Sequence, residues 1–252
     1  DRIGGLPGPR LIARNVETEE AYRACRRLGF DLYQGYYFTH PLPAAEAMDG
    51  KRARIVQLVN LAANAADPAR LEAEFKLDPG LTYKLLRFIN SPALGLRYPV
   101  RSIGHALMML GSEPLHRWLL LLLFTQRDGD GRARALLRHA LIRARLMEAL
   151  GEQSRQLGLA SGLFTTGILS MLDSLMGVSL QAALEPLLLA PEITQALLAG
   201  SGAYAPYLQL ARACERADAG SIAACAMALG LSAELVNDAH VGALMWAEGI
   251  DL

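Results

Sequence analysis

Side chains able to do chemistry are sparse in this chain, and their spacing limits what they can support. Five histidines occur in 252 residues. Metal-assisted hydrolysis needs several His, Asp or Glu side chains converging on the ions. No His-Asp dipeptide is present, and Gly111 and Pro114 interrupt any helix joining His105 to His116, so those two share no face. His139 sits at the edge of an apolar helix face, where the expected state is a single imidazole hydrogen-bonded to a neighbour. Asp173 is expected to be a partnered or capping carboxylate. The run Arg127-Asp128-Gly129-Asp130-Gly131 opens like a calcium loop but lacks the later oxygen ligands and the closing Glu, so it reads as an interhelix turn. Ser154, Ser161 and Ser170 lack a GxSxG context, and no phosphate-binding glycine loop is present. Cys25, Cys214 and Cys225 are odd in number and form no CxxC pair, which fits a reducing, cytoplasmic setting rather than a disulfide framework.

The elements that must position these groups are mostly helical. Hydrophobic residues make up 52% of the chain while aromatics make up only 6%, and Leu and Ala are strong helix formers. From about residue 49 onward helix signals follow one another. Asp67-Pro68 and Asp78-Pro79 are N-caps followed by Pro at the first helical position, and Ser112-Glu113-Pro114 starts another helix that runs through the apolar stretch 118–124. Residues 132–150 place Leu136, Leu137, Ala140, Leu141, Ala144 and Met147 on one arc. Further helices are predicted at about 160–175, 180–188, 191–199, 205–218, 221–229 and 232–247. The longest apolar run, 118–124, is far short of the roughly 20 residues of a membrane span, so none is expected.

The first forty residues differ. A short apolar run, Leu11-Ile12-Ala13 with Val16, leads to Thr18, a natural N-cap. A helix is predicted to about Leu28, stopped by Gly29, and then a strand over 30–38. This is the size of a parallel strand–helix–strand crossover, and two such strands need further partners.

Leu11-Ile12-Ala13-Arg14-Asn15-Val16-Glu17-Thr18, followed by Leu28-Gly29-Phe30-Asp31-Leu32-Tyr33-Gln34-Gly35-Tyr36-Tyr37-Phe38, resembles the end of EAL domains. These are (β/α)8 barrels that hydrolyse cyclic di-GMP with divalent metals. The resemblance makes Arg14, Glu17 and Gln34 vestigial positions of that site, with Arg14 where the family usually carries a glutamate. The family's remaining metal ligands would lie upstream.

Asp78-Pro79-Gly80-Leu81-Thr82-Tyr83-Lys84-Leu85-Leu86-Arg87-Phe88-Ile89-Asn90-Ser91-Pro92, then Arg101-Ser102-Ile103-Gly104-His105-Ala106-Leu107, looks like the HDOD signature. Gly167-Ile168-Leu169-Ser170-Met171-Leu172-Asp173 looks like a later part of that domain. HDOD domains are relatives of HD phosphohydrolases that have lost the metal pair. The resemblance puts Leu169 and Ser170 where that pair would stand, and His139 at a retained histidine.

The expectation is therefore a mostly α protein: a multi-helical HD-related domain over 46–252, preceded over 1–45 by a strand–helix–strand remnant of an incomplete EAL barrel. The expected role is a non-catalytic regulatory module without cofactor or metal, acting on signalling proteins, with cyclic di-GMP-linked control of motility or biofilm implied by the resemblance. The alternatives are a piece of a longer cyclic di-GMP phosphodiesterase and a degenerate cyclic-dinucleotide binder. Arg134, Arg138 and Arg145 lie on one side of a helix as a basic strip for an acidic partner. Zero net charge argues against a nucleic-acid partner, and the N-terminal strand edges are available for homo-oligomer formation.

Overall fold

Thr18 sets the first turn of the chain. Its hydroxyl accepts the Ala21 N–H at 3.1 Å and opens α1, Glu19–Arg27, with Glu19 and Glu20 in the first turn and Arg26 and Arg27 in the last. Gly29, at φ +81°, ends it. The helix links two parallel strands, β1 (Ile12–Ala13) and β2 (Leu32–Tyr33), in register Ile12 to Leu32 and Ala13 to Tyr33. Ala13, Val16 and Tyr37 form a small core of their own, covered by Tyr22, Cys25, Phe30 and Tyr33.

In the computed structural model the described residues are 10–35, 37, 50–64, 67–91, 94–124, 131–153 and 159–249. The predicted turn at 127–131 lies outside them except for Gly131, which opens a helix, as do Ser154 and the 45/46 domain boundary. Among the described residues of the strand predicted over 30–38, only Leu32–Tyr33 are regular strand. At Gly35 a Cβ would meet the backbone oxygen of Val16 at 2.2 Å, so a glycine is what lets the two segments approach this closely. Single bonds continue the pairing instead, with Gln34 N–H donating to Ala13 O at 2.7 Å and Tyr37 N–H to Val16 O at 3.0 Å.

Helices make up the rest of the described fold. Asp67 and Asp78 cap α3 (Pro68–Lys76) and α4 (Pro79–Ile89) through their carboxylates, as their Asp-Pro pairs predict. These pack beside α2 (Gly50–Ala63), α5 (Ile103–Leu110) and α6 (Ser112–Phe124). The long α7 (Gly131–Glu152) packs against α6, α8 (Leu159–Leu169), α12 (Ala205–Glu215) and α14 (Ala233–Glu248). Between α8 and α12 run α9 (Leu172–Met176), α10 (Leu180–Leu184), α11 (Pro191–Thr194) and a π-helical turn, Gln195–Ala199. The last hairpin begins with α13 (Ala219–Ala228). Asn60 of α2 clamps the stretch after α10, donating to Pro186 O at 2.9 Å and accepting from Leu188 N–H at 2.8 Å.

One core runs through these helices, with Phe75, Leu119, Phe124, Leu136, Leu141 and Met147 fully buried. The segment Leu159–Met176 is long and apolar enough to cross a membrane, yet 72% of it is buried inside the fold. It is all-round apolar because protein surrounds it.

Candidate functional site

Three helices bring their polar residues to one point. On α7, His139 and Arg143 are one turn apart and share a face. At the end of α12, Arg212, Glu215 and the C-cap residue Arg216 stand at i, i+3 and i+4. Between α8 and α9 the chain breaks at Ser170-Met171. The break lets the Ser170 hydroxyl donate to Gly167 O at 2.7 Å while accepting from Arg143 Nη1 at 2.7 Å.

Arg143 is buried, and all its outward bonds go to protein. Its Nε and Nη2 donate to the two carboxylate oxygens of Glu215, each at 2.6 Å. Such a fork on a carboxylate is among the stronger charge-assisted contacts a protein makes.

Around this pair opens a cavity of about 830 Å³. Its opposite wall comes from the N-terminal unit: Asn15, Glu17, Tyr22, Tyr33, Gln34 and Gly35. Asn15 is held at φ +57°, the left-handed region that Asn tolerates better than most residues. Tyr22 and Tyr33 meet edge to face with ring centres 4.9 Å apart, and the Tyr33 hydroxyl donates to Phe30 O at 2.6 Å.

The electrostatics of the cavity are set by burial. Desolvation lowers the pKa of His139 below its ordinary 6.5; Glu215 opposes this, while Arg143 and Arg138 reinforce it. Desolvation also lowers the pKa of Arg212, and Arg143 and Arg216 add to it against Glu215 and Asp173. Asp173 is partnered as expected, accepting the Ser174 N–H at 2.7 Å. His139 is not: it makes no hydrogen bond among the described residues, because it faces the cavity rather than a neighbouring helix.

The structure thus gathers Glu17, Gln34, His139 and Ser170 around one space. Arg14 is exposed and off its wall, and Leu169 is fully buried behind it. Sequence reasoning missed Arg143, Arg212, Glu215 and Arg216. The signal for Arg143 was its place one turn after His139; that for α12 was charge at helical spacing.

The predicted basic strip is largely neutralised. Arg138 pairs with Glu248 at 2.8 Å, and Arg145 with Glu148 at 2.7 Å and Glu152 at 3.2 Å, leaving Arg134 exposed. Glu148 also holds Arg117, which bonds Glu113 at 2.8 Å.

A second cavity, about 720 Å³, contains Glu113, His116 and Ser161. Hydrogen bonding from the Ser161 hydroxyl is the main cause that keeps the Glu113 carboxyl below its usual range. Among the described residues no group of three or more His, Cys, Asp or Glu side chains is arranged to hold a metal ion.

Fold and site define a helical domain whose polar centre is closed by an internal arginine–glutamate pair, with a small α/β unit against it. The HDOD domain family model matches residues 50–188, more than half of the chain, and the chain belongs to that family. It is 29% identical over 215 residues to the uncharacterized protein YuxH of Bacillus subtilis (strain 168), covering 84% of this chain and 52% of that protein. It is 27% identical over 244 residues to the cyclic di-GMP phosphodiesterase CdgJ of Vibrio cholerae serotype O1, covering 96% of this chain and 56% of that protein. The chain thus spans about half the length of these curated relatives. No solved structure gives a significant match.

Proposed function

We propose that this chain is a non-catalytic output module that regulates cyclic di-GMP-linked signalling through protein–protein contacts. Residues 1–45 are read as the closing strand–helix–strand of an EAL-type barrel and 46–252 as the HDOD-type helical unit. Membership of the HDOD family and similarity to a protein named as a cyclic di-GMP phosphodiesterase support the signalling role. The observation that carries the non-catalytic half is Arg143. Its guanidinium, fixed by Glu215 and Ser170, occupies the polar centre that the resemblance assigns to a lost metal pair, and a fixed cation there repels a divalent one.

Exposed apolar side chains supply contact surface. On α14, Val241, Leu244 and Met245 are exposed at helical spacing, with Met227 of α13 also exposed.

The direct test is incubation of the chain with cyclic di-GMP and Mn²⁺, with the linear dinucleotide product followed by chromatography. Product above the protein-free control overturns the non-catalytic reading. Pairwise binding to cyclic di-GMP cyclases and phosphodiesterases of the same organism tests the rest. A chain that binds none of them cannot act as proposed.

A further inference from the structure

The cavity contains guanidinium groups to which no described side chain is bonded. Arg143 is fully engaged, and it uses both oxygens of Glu215. Arg212, half-buried on the same wall, forms no hydrogen bond or ion pair among the described residues, and neither does Arg216 one turn on. Glu215, Asp173 and Asp218 offset these charges in part but bond neither guanidinium: Glu215 is committed to Arg143, Asp173 accepts the Ser174 amide, and Asp218 caps α13. A partly desolvated guanidinium flanked by two others is unfavourable unless an anion joins it. Its planar fork fits the two oxygens of a carboxylate or phosphate. The space, about 830 Å³, suits a small organic molecule rather than a bare ion.

We propose that this cavity binds a small organic oxyanion, a carboxylate or a phosphate ester, gripped by Arg212 and Arg216. The body of the ligand lies against Tyr22, Tyr33 and Gln34 of the opposite wall. Because the two walls belong to different parts of the chain, the ligand bridges the N-terminal unit to the helical domain. The proposal does not depend on the protein–protein reading, and partner binding can fail while ligand binding holds.

Calorimetric titration of the full chain with pyrophosphate and, separately, with citrate tests it. At least one is expected to bind with a Kd below about 1 mM, and the stronger of the two identifies the phosphate or the carboxylate source. Arg212→Gln is expected to weaken that binding by about tenfold or more, the cost of a lost charge-assisted contact, and Arg212→Lys by less. Arg138→Ala, an exposed arginine held by Glu248, leaves it unchanged. If Arg212→Gln does not fold, Arg216→Gln at an exposed position carries the same test. No binding of either probe up to about 10 mM overturns the proposal. So does equal weakening by Arg138→Ala, which would mark diffuse surface attraction, or unchanged binding by both the Arg212 and Arg216 variants.

Discussion

Arg143 of α7 and Glu215 of α12 meet in a two-pronged contact, Nε to Oε1 and Nη2 to Oε2, both at 2.6 Å. The third arm of the guanidinium reaches Ser170 Oγ at 2.7 Å, at the break between α8 and α9. One side chain thus ties three helices at the point where the cavity opens. The centre of the domain is held by a cation belonging to the chain itself.

A buried ion pair is weak evidence for stability in itself, but breaking it leaves a charge unpaired in a poor solvent. The Arg143 side chain is 9% exposed and that of Glu215 23%, so partial solvent access at Glu215 softens the effect. Glu215→Gln is therefore expected to destabilise the fold by about 2 kcal/mol, below the range for fully buried pairs. Replacing both partners, Arg143→Met with Glu215→Leu, is expected to return stability to within about 1 kcal/mol of the parent, because no orphan charge remains. Urea unfolding midpoints check both. A Glu215→Gln midpoint equal to the parent's would mean that the pair is already solvated.

Two histidines, His116 half-buried and His139 exposed on the cavity wall but desolvated by the helices around it, make stability depend on pH with a definite sign. Desolvation is the main cause that lowers the pKa of both His116 and His139 below 6.5; Arg117 adds to it for His116, and Glu113 opposes. In the unfolded chain both regain the ordinary value, so as pH falls through 6.5 the unfolded state takes up protons first. Stability from these groups is full above pH 6.5 and is lost as pH drops through the folded-state values. The free energy of unfolding should fall as pH drops below 6.5, and His116→Gln with His139→Gln should flatten that slope. An unchanged slope in the double variant would assign the loss to other groups. Glu113, whose carboxyl lies below 4.5, adds a separate loss only at more acid pH.

Gly35 tests the N-terminal unit. With Val16 backbone 2.2 Å from where a Cβ would stand, Gly35→Ala must separate the segments that β1 and β2 bring together. The expected readout is faster amide exchange at Val16 and Tyr37, whose N–H groups donate to Gln34 O and Val16 O, each at 3.0 Å. Exchange in α7 should stay slow, since the small core of Ala13, Val16 and Tyr37 is separate from the helical one. Unaltered exchange at Val16 would show that the crossing relaxes without cost.

Local signals were legible where the chemistry is local. Thr18 and Gly29 bound α1 as their types require, and the Asp-Pro pairs open α3 and α4. The helices predicted at 205–218, 221–229 and 232–247 are found as α12, α13 and α14 with ends shifted by up to three residues. The predicted helix at 160–175 is instead divided at Ser170-Met171, because Ser170 is drawn to Arg143 from another helix. That is also why the site was only half visible. His139, Ser170, Glu17 and Gln34 could be singled out one by one, but their meeting depends on how α7, α12 and the N-terminal unit pack. The ion pairs along the basic strip were hidden for the same reason: Glu248 lies 110 positions from Arg138, and no helical periodicity reports such a partner.

The close packing of α7 on α8 rests on a missing side chain. A Cβ on Gly167 would sit 2.5 Å from Ala144 Cα and 2.8 Å from Ala144 N, so neither partner can yield by turning a side chain. Gly167→Ala must push the helices apart, although alanine is by itself the better helix former. The backbone clash outweighs that preference, and overpacking of this kind costs about 1–3 kcal/mol. Because Gly167 O accepts the Ser170 hydroxyl that also holds Arg143, the shift should reach the cavity. Gly167→Ala should thus lower the thermal midpoint and, in the same protein, alter the exchange of the Arg143 side-chain N–H protons seen by NMR. A variant as stable as the parent would show that α7 and α8 can part without loss.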